Sequence, residues 1–271
     1  MPSLFVSHGA PTLAIEDGAA HRFLKGEGAM LPRPRAILVV SAHFDAPVAT
    51  LTAADRPRTI HDFRGFPDRL YDIVYAAPGA PEVAREAANL LSAAGIDCRL
   101  DAERGLDHGA WVPLSLAYPA ADIPVLQLSL CTAAGADHHL RLGEALRPLR
   151  DRGVLILGSG GATHNLREFF SGRHGHDDPP PAWVSGFADW VAAAVEQGRI
   201  DDLQAYRSLA ADGARNHPSE DHFLPLFAVL GTALPGEPAR RVHHSYNYAV
   251  LAMDAYAVGE GARLPPDTKE L

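Results

Sequence analysis

An α/β fold, one domain with a central mostly parallel or mixed sheet flanked by helices and with C-terminal strands added, is what the sequence predicts. Short aliphatic runs alternate with longer helical patterns, the rhythm of strands joined through helices packed on both sheet faces. The stretch ARRVHHSYNYAVLAMDAYAVG near the end switches to period-2 character, which predicts a strand pair, antiparallel, joining that sheet. At 271 residues the chain is long for one domain and short for two ordinary ones, so the predicted domain spans 1–271.

In chain order, strands are expected at 3–7, 36–42, 49–53, 123–130 and 153–158, where apolar runs are bounded by turn-forming residues. Helices are expected at 80–95, 136–151, 181–197, 200–211 and 219–231. The first of these closes on Gly95, a residue suited to a helix C-terminus. In the last, Ser219 is positioned to cap a helix whose first turn carries Glu220 and Asp221, which places His222 near its N-terminal end. The segment GRHGHDDPPP, with His174 and His176, is a loop by its Gly, Asp and Pro content. His138 and His139 are expected at the surface.

Composition narrows the function. A formal net charge of −9 with no block of Lys or Arg argues against nucleic acid or an anionic membrane as partner. No apolar run approaches the ~20 residues that span a bilayer, and the start, MPSLF, lacks the features of a secretion signal. Two cysteines, Cys98 and Cys131, are too few for a disulfide framework, so a cytoplasmic location is expected. The oligomeric state is left open by the sequence.

The unusual number is fourteen histidines. Three predicted strands each deliver one just past their end: His8 in LFVSHG, His43 in AILVVSAHF and His164 in VLILGSGGATHN. In open α/β sheets ligands bind outside the carboxyl ends of the strands. Gly9, and Gly160-Gly161 ahead of His164, allow the tight turns or close backbone approach that a site needs. With His222 as a fourth, the set suggests a mononuclear metal site, imidazole nitrogen being suited to zinc, iron, copper or nickel. Two rival motifs fit poorly. GSGGAT lacks the third glycine of a dinucleotide fingerprint, and a nucleophile elbow around Ser159, with His164 as base, has leucine where its first glycine belongs.

The blocks SHGAP, VVSAHF, TIHDFRGFPDRLYDIVYAAPGAP, GLDHGAWVPL, GSGGATHNLREF and HPSEDHFLPLF follow one another in this order. Together they resemble the class III extradiol ring-cleaving dioxygenases of the DOPA 4,5-dioxygenase type, from the first residues to about 255. The resemblance implies one α/β domain with one non-haem Fe(II) per chain, a nitrogen-rich site that Zn(II) also occupies, and a small catechol and O2 as reactants. Carried over residue by residue, it implies His8, His43 and His222 as metal ligands and His164 as acid/base, a fourth ligand only in a four-coordinate site. It also implies His108 as a second active-site histidine. Relatives that use a glutamate as third ligand leave Glu220 as the alternative to His222. His61 and the following DFRGFP are candidates for a pocket wall, Tyr246 and His244 for substrate contact, and Trp111 for the core.

Three neutral imidazoles leave the full dipositive charge on the metal and keep positions open for both catechol oxygens and O2. Histidine, with an unperturbed pKa near 6.5, can take a catechol proton and return it at neutral pH. Two alternatives use the same residues: a zinc or serine hydrolase, and a non-catalytic metal-binding protein of the Memo type, which resembles this fold.

Overall fold

Strands with apolar residues on both faces belong in a sheet covered on both sides, and the structure, a computed structural model describing residues 1–259, places them there. Residues 260–271 of the predicted domain lie outside the described residues. The strands are β1 (Ser3–Ser7), β2 (Ala36–Asp45), β3 (Ala49–Thr52), β4 (Cys98–Asp101), β5 (Val125–Leu130), β6 (Val154–Gly160), β7 (Ala239–His243), β8 (Tyr246–Asn247), β9 (Leu251–Ala252) and β10 (Ala255–Val258). Eight form one mixed sheet in the order β4-β3-β5-β2-β6-β1-β10-β7, and β8 pairs with β9 in a small separate ladder. The central strands β5, β2, β6 and β1 are parallel. The predicted antiparallel C-terminal pair is β7 with β10, joined antiparallel to β1.

Alternation along each central strand feeds two cores. Leu38, Val40, Leu126, Leu128 and Ile156 face the helices Pro81–Ala93, Gly135–Leu146, Ala182–Glu196 and Leu224–Gly231. Ile37, Val39, Leu155, Leu157, Leu4 and Val6 face the helices Ala19–Met30 and His108–Ala117. Burial on both faces is what an uninterrupted apolar strand requires.

Several boundaries differ from those expected. The 136–151 helix breaks at Arg147, and Pro148 restarts it as Pro148–Asp151, since proline fits a helix start and not its interior. The 200–211 helix is two short pieces, Ile200–Gln204 and Tyr206–Leu209. The 219–231 helix starts only at Leu224, with Pro225 in its first turn. Ser219 therefore caps nothing, and His222 sits in the turn before the helix. Strand β4 and the helices Ala19–Met30 and His108–Ala117 were not expected.

His139, expected at the surface, is fully buried. Its Nε2 accepts from the Cys131 N–H at 3.2 Å and its Nδ1 donates to the Gly135 carbonyl at 2.7 Å. Burial, against the pull of the Gly135 bond, holds its pKa at about 4. His217 is equally buried, donates Nε2–H to the Ala162 carbonyl at 3.0 Å, and is held by burial at about 3. An unfolded chain protonates both near 6.5. Their contribution to stability is therefore complete above pH 6.5 and is lost as pH falls toward the folded values, at about 1.4 kcal/mol per histidine per pH unit. The urea midpoint of the metal-free protein is expected to drop steeply between pH 6.5 and 4. A flat midpoint there would mean that protons reach these imidazoles without unfolding.

Candidate active site

Three neighbouring strands, β2, β6 and β1, point their carboxyl ends the same way, and each supplies a histidine. His8 follows β1 directly, its N–H bonded to the Gly160 carbonyl at 2.9 Å. Gly9 then turns the chain with φ +58°, a conformation that glycine adopts at no steric cost. His164 comes four residues after β6. His43 lies within β2 rather than beyond it: pairing with β5 runs to Val40↔Leu128, then resumes only at Asp45↔Leu130. That irregularity frees Ser41–Phe44 from β5, as bulges do beside active sites.

Two further elements close the group. His108 opens its helix, capped by Asp107, whose side chain accepts from the Ala110 N–H. The His222 carbonyl accepts from the Gly161 N–H at 2.9 Å, and a Cβ on Gly160 would collide with that same carbonyl. Only glycine lets the His222 turn lie so close to β6.

The five imidazoles meet. Ring centroids are 4.9 Å apart for His8–His43, 5.3 Å for His8–His222, 4.9 Å for His43–His222 and 3.9 Å for His43–His108. His164 stacks on His222 at 3.4 Å and 7°. The tightest grouping of ring nitrogens, within 4.8 Å of one another, is His8, His43 and His108. It shares two residues with the expected set and has His108 in place of His222.

Partners on the far side of His8 and His222 fix their tautomers. Ser159 Oγ gives its proton to the Gly109 carbonyl at 2.5 Å and so accepts from His8 Nδ1 at 3.0 Å. That carbonyl is free because Pro113, inside the helix, has no N–H to offer it. His222 Nδ1 donates to Asp221 at 2.8 Å. His43 Nδ1 faces Asp62 at 3.7 Å, and His108 Nδ1 lies 3.0 Å from the same carboxylate in an ion-pair contact. The Nε2 lone pairs of His8 and His222 are left for the centre of the site, the outer-partner arrangement that holds histidine ligands.

His43 Nε2 stands 3.0 Å from His8 Nε2, and with the His8 proton on Nδ1 it is His43 that donates across this contact. A cation can take the place of that proton: nitrogens ~2.1 Å from one ion and at right angles lie about 3.0 Å apart. The donor set fits a divalent transition metal. Burial, then the neighbouring imidazoles, lowers the pKa values of His8 and His222 well below the ordinary value. Burial and His108 bring His43 to about 3. The rings are already in the neutral form that metal binding needs. Burial would raise Asp62, but His108, through its ring and its backbone N–H, brings it to about 2.

His43, His108, His164 and His222 line a cavity of about 510 Å³, with Phe63, Arg64, Phe66, Phe169, Phe170 and Leu251 among its walls. The DFRGFP segment is thus wall, as expected, but His61 is not. Its Nε2 bonds the Ile73 carbonyl at 3.0 Å and its ring packs on Trp111, which is core. Tyr246 lies in β8 opposite Ala252, its ring beside His244, and neither lines the cavity. Glu220 is likewise off the cavity, its carboxylate beside the buried Tyr206 phenol. Ser159 is fully buried in β6 with its hydroxyl committed to Gly109 and His8, which removes it as a nucleophile. Asp62, Asp221 and Ser159, as partners of the rings, were not expected. The sole signal for the first two was an acid within one residue of a candidate histidine or its motif.

Residues 2–259 match the family described as the catalytic LigB subunit of aromatic ring-opening dioxygenase. A 4,5-DOPA dioxygenase extradiol of Beta vulgaris is 40% identical over 258 residues, 94% of this chain and 95% of the relative. The protein of that name in Escherichia coli (strain K12) is 42% identical over 262 residues, 96% and 95% of the two chains. The crystal structure of an uncharacterized protein from Escherichia coli K12 matches with a TM-score of 0.81 at 35% identity, covering 96% of this chain and 100% of that one. By sequence match and by fold, the chain belongs to the LigB family of extradiol, ring-opening dioxygenases.

Proposed function

We propose that this chain is a non-haem Fe(II)-dependent extradiol dioxygenase that opens the ring of a small catechol with O2, a DOPA-like catechol being its substrate. The observation that carries the reading is the convergence of neutral imidazoles from β1, β2 and the His222 turn beside an aromatic-walled cavity that His43 and His222 line. His8, His43 and His222 are assigned as ligands of one iron per chain. His222 is preferred to His108 because its Nδ1 is anchored by an aligned bond to Asp221, whereas His108 is drawn toward Asp62. Glu220, turned toward Tyr206, has no part. Zn(II), higher in the Irving–Williams order, would compete for the same nitrogens. The free cysteines Cys98 and Cys131 suit the cytoplasmic location proposed with this activity.

Fe(II), when bound, supplies a Lewis acid for the catechol oxygens and the redox chemistry that O2 requires. The chain supplies the rest. Phe63, Phe66 and Phe169 form faces and edges for the catechol ring and keep water from it. His164 is held at about 4 by burial, against the pull of Asp221, so at neutral pH its ring is a free base able to take a catechol hydroxyl proton. The Asp221 carboxylate eases the charge once that proton is on. His108, with Asp62 behind it, orients the substrate or shares the proton.

Metal-free protein loaded anaerobically with Fe(II), given L-DOPA and then air, is expected to form a coloured ring-opened product. The Zn(II)-loaded protein is expected to form none, zinc having no accessible redox change. Hydrolysis of an ester by the zinc form, with no product from any catechol, would overturn the assignment.

A further inference from the structure

Asp107 is fully buried and lies off the cavity wall, yet its carboxylate is surrounded by donors. Ser41 Oγ donates to it at 2.6 Å, Gln127 Nε2 at 2.7 Å, Arg104 Nη2 at 3.2 Å and the Ala110 N–H at 3.3 Å. Two of these donors also hold His43. Ser41 Oγ accepts from the His43 N–H at 3.2 Å, and Arg104 Nη2 donates to the His43 carbonyl at 3.1 Å. Both backbone groups of His43 thus find side-chain partners at the place where β2 loses its pairing with β5. A buried backbone group left without a partner there would cost about as much as a lost hydrogen bond.

The same carboxylate caps the helix that starts with His108. One anion therefore ties the strand segment carrying His43 to the first turn of the helix carrying His108. Gln127 fixes its orientation in turn: Oε1 accepts from the Asp107 N–H at 3.1 Å while Nε2 donates to the side chain, so amide and carboxylate are complementary in one sense only.

We infer that Asp107, with Arg104 and Gln127, is a positioning group that sets the geometry of the metal site through His43. The inference rests on the reading of His43 as a metal ligand. Asp107→Asn keeps the shape but turns an NH2 toward the Gln127 amide and Arg104, donor against donor. Adding Gln127→Glu exchanges amide and carboxylate across the 2.7 Å bond and restores the donor–acceptor match there, leaving only the Arg104 contact to position 107 unmatched.

The test is Co(II) binding to the metal-free protein, read as affinity and as the visible d–d bands that report coordination geometry. Asp107→Asn is expected to weaken Co(II) by ~10–100-fold, the range for outer partners of ligating residues, and to shift the bands. The double variant is expected to recover most of both. Ser41→Ala, a small change that frees the His43 N–H, is expected to move both readouts in the same direction as Asp107→Asn, and it carries the test if that variant does not fold. Wild-type affinity and bands in the single variants, or a double variant no better than Asp107→Asn, would remove the positioning role alone. A wild-type protein that takes no Co(II) would remove the functional reading and this inference with it.

Discussion

His43→Ala is expected to give a folded protein that retains no metal and opens no ring. The loss of metal affinity should exceed the ~10–100-fold that removal of an outer-shell partner costs, because a ligand itself is gone. His8→Ala should behave alike. The same substitutions bear on stability in a direction that packing alone would not give. His8 Nε2 and His43 Nε2 face each other at 3.0 Å, and both rings are desolvated, with pKa values lowered by burial first and by each other or His108 next. Alanine at 43 removes one desolvated ring together with its bond to His8, two effects of opposite sign, so the metal-free variant should melt close to metal-free wild type. Metal, binding the folded state only, should raise the wild-type midpoint and leave the variant unmoved. Metal analysis after dialysis and calorimetry with and without Fe(II) or Zn(II) decide. A variant that keeps its metal, or that melts far below wild type without it, would make His43 a packing residue.

How much of this was legible in the sequence depended on whether a signal was local. The central strands announced themselves because each carries a run of apolar residues, and the ends of β1 and β6 marked where His8 and His164 would emerge. The helix His108–Ala117 gave no such sign. It is buried almost all round, so it has no polar face to create a 3.6-residue period, and Pro113 argues against a helix at all. That proline frees the carbonyl on which the Ser159–His8 bond depends. His139 was misplaced although it shares the apolar face with Leu142 and Leu146, at helical spacing. Gln127 was a missed signal of another kind. A glutamine in the otherwise apolar run VLQLS must find partners when buried, and it finds Asp107. Contacts such as Asp62–His108, between segments 46 residues apart, leave no local pattern to read.

His164→Ala separates metal binding from chemistry. Here the ring is assigned to proton transfer, so the variant should load Fe(II) and bind catechol as wild type does while kcat falls by ~10²–10⁴-fold, the usual worth of a positioned acid/base. Two features sharpen the expectation. His164 lines the cavity, so its removal opens space beside the substrate into which free imidazole can diffuse, and added imidazole should restore part of kcat in a saturable way. It also stacks flat on His222 at 3.4 Å, so a purely structural role would loosen His222 and appear as lost metal instead. Stopped-flow turnover at saturating catechol, set beside metal content, tells the two apart. Loss of metal in step with activity would make His164 a support or fourth ligand, and full activity would show that the proton leaves the catechol by another route, with His108 beside Asp62 the group next placed to carry it.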